Sequence, residues 1–411
     1  MAGLCFSADA QGPPDGNAPV TLNEYLRLAA ANNAGLKGAF EQWRAAYEQI
    51  PQAKALPEPQ ITYGYATEST PTRETFDAMQ MFPWFGTIKA QSEVASAAAK
   101  AAYKQYQARR LEMFYQVKQA FYEYNYLAKA ISIAAENLSL VEHFEQVALA
   151  RYVAGRTPHP DVIRAQIEQA ITANRLKSLE ELRSAVVAKL NGILNRPATS
   201  ELPWPQAPAY EEVSVDWQQL LAIMAENNPQ LQAVGYDIEA ARGNEKLAAK
   251  KSYPGIGVGL GFDEGMGENG DDRVMAKVSL ILPIWQNSYK AAQRQARAQV
   301  NKATQEKIQL ANTLAADAKR ALYEYQNSSR EIRLYKDIVI PKAKEMLAAS
   351  ESAYQAGAID FLSLVDAQRS LLQYQLEYEK ATAENAQRLA ELEMLAGTQL
   401  SPTLQGTSPQ R

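Results

Sequence analysis

The chain says almost everything twice. "LRLAAANNAGL" at 26–36 returns as "LAIMAENNPQL" at 221–231, "FPWFG" at 82–86 as "LPIWQ" at 282–286, and "AFYEY" at 120–124 as "ALYEY" at 321–325. The stretch "RYVAGRTPHPDVIRAQ" from 151 is answered by "AYQAGAIDFLSLVDAQ" from 353, and "LNG" at 190–192 by "LAG" at 395–397. The order is kept and the offset grows only from 195 to 205 residues, which marks a duplicated segment with small insertions. Any architecture for this chain must therefore use one structural plan twice. We divide it into a first repeat at 21–196, a Pro-rich linker at 197–215 and a second repeat at 216–397, with a tail at 398–411.

Within each copy the same elements follow in order. Residues 21 to about 52 are rich in Ala, Leu and Glu and read as helix, ended by Pro57 and Pro59. The alternating segment "QITYGYAT", a polar turn and a second alternating stretch to Phe82 read as a β-hairpin. Its counterpart is clearer: Ile256, Val258, Leu260 and Phe262 alternate with glycines, and Val274, Ala276, Val278, Leu280 and Leu282 alternate with Met275, Lys277 and Ser279. These runs approach the length of a tilted transmembrane strand, about 10 residues, although a half-buried soluble hairpin would alternate in the same way.

After each hairpin comes a helix of unusual length. Thr87 to Arg151 contains no proline, and about 65 residues at 1.5 Å each make a rod of about 100 Å. The return helix, about 161–195, covers only half of it, so the helix at 21–52 is expected to stack end to end on the return helix. In the second copy 216–250 and 360–396 are expected to do the same against 288–352, where Pro341 predicts a kink or break. Along that outgoing helix a seam of Ala292, Ala296, Val300, Ala303, Leu310, Leu314, Ala318, Ala321 and Tyr325, broken by Lys307, repeats at about 3.67 residues per turn, the period of a straight or slightly right-handed packing. The remaining positions are polar, as in a wall wetted on both sides.

Composition removes several function classes. A formal charge of −4 gives no basic face for nucleic acid. One cysteine, Cys5, and two histidines, His143 and His159, leave no Cys/His zinc site or thiol chemistry, and no cofactor is expected. "GVGLG" near 257 lacks the strand-then-helix setting of a dinucleotide loop, so the chain does not read as an enzyme. Residues 1–20 read as an export-signal remnant or a disordered N-terminus; Leu4 before Cys5 disfavours a lipid anchor. No run of about 18 uncharged apolar residues is present, so a membrane span would have to be made of strands.

Four strands cannot close a barrel, and an open sheet in lipid leaves edges unpaired, so copies would have to share one. With that plan, with "FPWFG" leading into the long helix and "YVAGR…DVIRAQ" at its far turn, the chain resembles the TolC-type outer-membrane efflux family from about residue 20 to 397. The resemblance implies a mainly α fold with a small β part. In it, duplicated antiparallel helical hairpins form an α-barrel, and four strands per chain enter a shared 12-stranded transmembrane β-barrel of a homotrimer. It implies a passive exit duct in the outer membrane of a Gram-negative bacterium, extending into the periplasm and partnered by a periplasmic adaptor and an inner-membrane pump. A periplasmic adaptor would normally show one hairpin flanked by β domains, and a coiled-coil scaffold leaves the β-hairpins unexplained.

Gly155 and Gly357 match the family's turn glycines; as left-handed helix caps they need no further role. Tyr152, Arg156, Thr157, Tyr354 and Ala358 around them are the expected adaptor-docking set. At the periplasmic aperture the resemblance places Asp366 and, where a second acid is usual, Ser363, with Asp161 and Arg164 in equivalent places of the first copy. An Arg164 to Asp366 contact would latch the tip. Met79 and Met81 fall on alternate positions of a strand, either as soft ligands or as fillers of space. The acidic run at 263–272 lacks calcium-loop spacing and reads as a solvated turn.

Overall fold

The computed structural model describes residues 18–67, 72–206, 208–265 and 272–400. In chain order they form α1 (Leu22–Asn32), α2 (Ala34–Tyr47), α3 (Gln49–Lys54), β1 (Gln60–Tyr65), β2 (Thr72–Phe82), α4 (Thr87–Val153) and α5 (His159–Ile193). The second repeat gives α6 (Trp217–Asn227), α7 (Pro229–Lys250), β3 (Gly255–Gly265), β4 (Arg273–Ile281), α8 (Gln286–Leu334), α9 (Ile340–Ala356) and α10 (Phe361–Ala396).

The element order is the one expected, with two local differences. The single helix expected at 21–52 breaks at Asn33 and again near Glu48, and its counterpart breaks at Asn228 before Pro229. Both asparagines explain their break. Asn33 donates its side-chain amide to the Ile193 carbonyl at 2.8 Å, and Asn228 donates to Leu395 at 2.9 Å. Each repeat thus ties the break in its entry helix to the end of its return helix, where an end-to-end stack was expected. The second concerns the form of the break expected at Pro341, whose ring would collide with the carbonyl four residues back in a regular helix. The chain absorbs this by widening to a π-helical turn at Tyr335–Val339, immediately before α9 begins.

The residues fall into two compact units. One holds 18–37, 109–228 and 314–400, the other 38–108 and 229–313. In the first, Tyr25, Phe121, Tyr124, Ala130, Leu314, Ala318, Ala321 and Tyr325 are buried, so the C-terminal part of the α8 seam is core, while Ala292, Val300, Ala303 and Leu310 are half-buried. Tyr25 meets Phe121 edge to face at 5.4 Å. The two tyrosines that end "AFYEY" and "ALYEY" both anchor the linker. Tyr124 donates to the Leu202 carbonyl at 2.9 Å and stacks on Trp204, while Tyr325 donates to the Val213 carbonyl at 2.9 Å and accepts from its N–H at 2.8 Å.

The second unit carries the sheet. Its strands lie in the order β1-β2-β3-β4, all antiparallel, so the two hairpins join through β2 and β3. The registers put Ile61, Tyr63, Phe76, Ala78, Val258, Leu260, Phe262, Val274, Val278 and Leu280 on one face, with Val274 75 % and Val278 72 % exposed. Thr62, Asp77, Lys277 and Ser279 stand on the other beside the glycines of β3. This is an inside-out arrangement for water and a suitable one for lipid. In the same unit α7 packs against α4 closely enough that a Cβ on Gly243 would lie 2.5 Å from the Val94 side chain. Among the described residues no helix is long and apolar enough to cross a membrane.

Candidate functional site at the helical turns

The two turns that the duplication predicts are built by the same hydrogen bonds. After α4, Gly155 at φ +69° donates to the Tyr152 carbonyl and Arg156 donates to Arg151, both at 2.9 Å. After α9, Gly357 at φ +79° donates to Tyr354 at 2.9 Å and Ala358 to Ala353 at 2.8 Å. Each is a complete Schellman cap, which needs a residue that accepts positive φ. Pro158 and Pro160 start α5, and Asp360 caps α10 by accepting from the Ser363 N–H at 2.9 Å and its hydroxyl at 2.6 Å. The Ser363 hydroxyl and N–H hold the Asp360 carboxyl below its ordinary value, with Arg164 contributing less.

Beneath the turns lies an apolar cluster of Phe144, Ala148, Ala165, Leu347, Tyr354, Phe361, Leu364 and Leu371 drawn from both repeats. Tyr354 is 2 % exposed and meets Phe361 edge to face at 5.6 Å. It therefore supports the turn from inside, which corrects its expected place on the docking surface. Burial raises its phenol above the ordinary value, and the nearby Asp161 carboxylate adds to the rise. Tyr152, Gly155, Arg156, Gly357 and Ala358 are exposed, Thr157 is half-buried, and the Tyr152 ring packs on His159 at 5.0 Å.

Asp161 is buried, and its partner is Arg164 of the same helix turn at 3.5 Å. Asp366 and Ser363 are exposed on α10. No ion pair joins Arg164 to Asp366 among the described residues, so the expected latch is not formed within the chain; Arg164 is held instead by the carboxylate one helical turn away.

Other side chains join the two repeats. The Arg151 guanidinium, at the end of α4, donates to the Gln355 carbonyl in the second turn and lies 4.9 Å over the Tyr354 ring. A Cβ on Gly357 would come 3.3 Å from the same guanidinium. Farther from the turns, Arg369 of α10 forks onto the buried Glu168 of α5, its Nε at 3.0 Å, and Gln368 donates to the buried Asn137 of α4. Sequence reasoning passed over all five, since each looks like an ordinary polar helix residue. The available signal was that Asn137, Glu168 and Gln368 fall in line with apolar neighbours on the packed faces of their helices.

A duplicated chain with an apolar-faced four-strand sheet and paired helical turns defines an outer-membrane efflux channel. The model of the outer membrane efflux protein family matches residues 25–196 and 220–398, and the chain belongs to that family. It is similar to the cobalt-zinc-cadmium resistance protein CzcC of Cupriavidus metallidurans, at 24 % identity over 94 % of this chain and 92 % of that one. Its fold matches the outer-membrane channel OprN, TM-score 0.78 at 20 % identity over 92 % of this chain and 89 % of the other. CusC, described as forming a transmembrane channel, matches with TM-score 0.79 at 16 % identity over 92 % of each.

Proposed function

We propose that three copies of this outer-membrane protein close a 12-stranded barrel and form the passive exit duct of a tripartite efflux system. The sheet carries this reading. Its β1 and β4 edges have no partner strand among the described residues, and its apolar face is exposed. In lipid the unpaired edges are intolerable for one chain alone, and a closed ring of three pairs them while giving the apolar face to lipid. The exposed turn residues Tyr152, Gly155, Arg156, Gly357 and Ala358, with the half-buried Thr157, are the surface offered to a periplasmic adaptor, and the exposed Asp366, Ser363 and Arg164 line the aperture, with the buried Asp161 pairing Arg164 rather than facing the lumen. An inner-membrane pump supplies the energy, so the duct needs no catalytic group or cofactor. From its likeness to CzcC we extend the cargo to metal ions. The deciding experiment is extraction from outer membranes followed by mass measurement in detergent. Three times 45.4 kDa of protein with channel conductance in planar bilayers is expected, and a soluble monomer overturns the reading.

A further inference from the structure

The sheet sorts most of its side chains by face. Aliphatic and aromatic residues occupy the apolar face, apart from Ile281 at the end of β4, yet Met79 and Met81 of β2 and Met275 of β4 stand on the polar, glycine-rich face. Two of them converge. Met81 lies directly across from Gly257, where a Cβ would sit 2.5 Å from the Met81 sulfur and 3.4 Å from the Met79 sulfur. Two sulfurs so close to one point are near neighbours over the glycine. Met275 takes no part, because the space over its cross-strand neighbour Gly261 is filled by Asp77 and Lys277.

We propose that Met79 and Met81 form a two-thioether transit site for a soft monovalent cation, copper(I) or silver(I), on the lumen wall. The inference rests on the exit-duct reading and names a cargo class for it. Thioethers select soft cations and hold zinc or cobalt poorly. Of the carboxylates on this face, Asp77 already accepts from Lys277, and Asp263 stands far along the strand from Gly257, directly across from Arg273. Among the described residues no cluster of three His, Cys, Asp or Glu offers an alternative metal site. The three torsions of each methionine let the two sulfurs move to either side of one ion. Two neutral ligands bind weakly, as a passing cargo requires.

The test is silver(I) titration of the full-length detergent-solubilised protein by calorimetry in nitrate buffer. It uses a C5S background, since a thiol would outcompete thioethers, with the silver–sulfur distance read by X-ray absorption. About one silver ion per chain is expected, lost in M79L/M81L and kept in M275L. If the double variant does not assemble, M79L and M81L singly are each expected to weaken silver binding by roughly tenfold or more. A parent that binds no silver, or thioether variants that bind as the parent does, overturns the site, because leucine fills the space equally well. A protein that conducts but binds no silver loses the site and keeps the duct. One that binds silver without forming a conducting trimer keeps the pair and loses the duct.

Discussion

Replacing Arg151 by alanine cuts a tie between the first turn and the second. Its guanidinium gives a hydrogen bond to the Gln355 carbonyl and a cation–π contact with Tyr354. A hydrogen bond from a charged donor is worth ~1.5–3 kcal/mol, and a partly exposed cation–π contact ~0.5–1 kcal/mol. Gln355 is exposed, so water replaces part of the first term and the low end applies, about 2 kcal/mol in all. If dilation of the tip moves the second turn away from the first, Arg151→Ala shifts the closed-to-open ratio by roughly 30-fold. The assay is single-channel recording in planar bilayers, paired with leak of a large antibiotic into cells carrying the variant. Arg151→Lys keeps the charge over the ring and loses the planar donor, so it falls between. An Arg151→Ala channel with wild-type open probability and wild-type thermal stability refutes the argument, because then neither the tie nor its loss matters to the closed tip.

Arg164→Ala is expected to change leak far less than Arg151→Ala, since it breaks a pair within one helix turn and not a tie between the two turns; leak equal to that of Arg151→Ala would restore the latch between Arg164 and Asp366. Val278→Arg on the apolar face costs about 2–4 kcal/mol in lipid and should abolish assembled trimer on non-denaturing gels, whereas Ser279→Arg, one residue on and facing the glycines, should assemble. Gly357→Val and Gly155→Val both force a side chain into positive φ, at about 1–2 kcal/mol each, but only the former also crowds Arg151 at 3.3 Å; crosslinking to the adaptor should fall more for Gly357→Val, and equal losses would sink the packing argument. Asp360 has a folded pKa below its usual 3.8, so its capping contribution is complete at neutral pH and is lost only as pH falls below that value. Hydrogen exchange at the start of α10, corrected for its intrinsic pH dependence, should therefore show the same protection at pH 5 and pH 7.

Much of this molecule was legible before folding because its signals are local. Strand alternation, the alanine seam, the proline-free stretch of α4 and the turn glycines each act within a few residues of themselves, so their spacing predicts strands, packed faces and caps. The duplication then supplies a check, since each reading had to hold twice, and Tyr124 and Tyr325 hold the linker in the same manner. Where local reasoning fell short, the cause was a partner far away in sequence. Tyr354 looks like a surface residue at a turn until Arg151, from the other repeat, and Phe361, from the next helix, enclose it. The pairing of β2 with β3, the Glu168–Arg369 fork and the meeting of Met79 and Met81 over Gly257 are of the same kind. Arg164 is the opposite case: the acid it takes, Asp161, lies one turn away on its own helix, and the expected partner in the second repeat was the error. Sequence determined which elements exist, how long they run and which face each buries, because backbone sterics and side-chain period act locally. Tertiary structure alone decided which repeat touches which, because a contact between residues so far apart along the chain leaves no period in it.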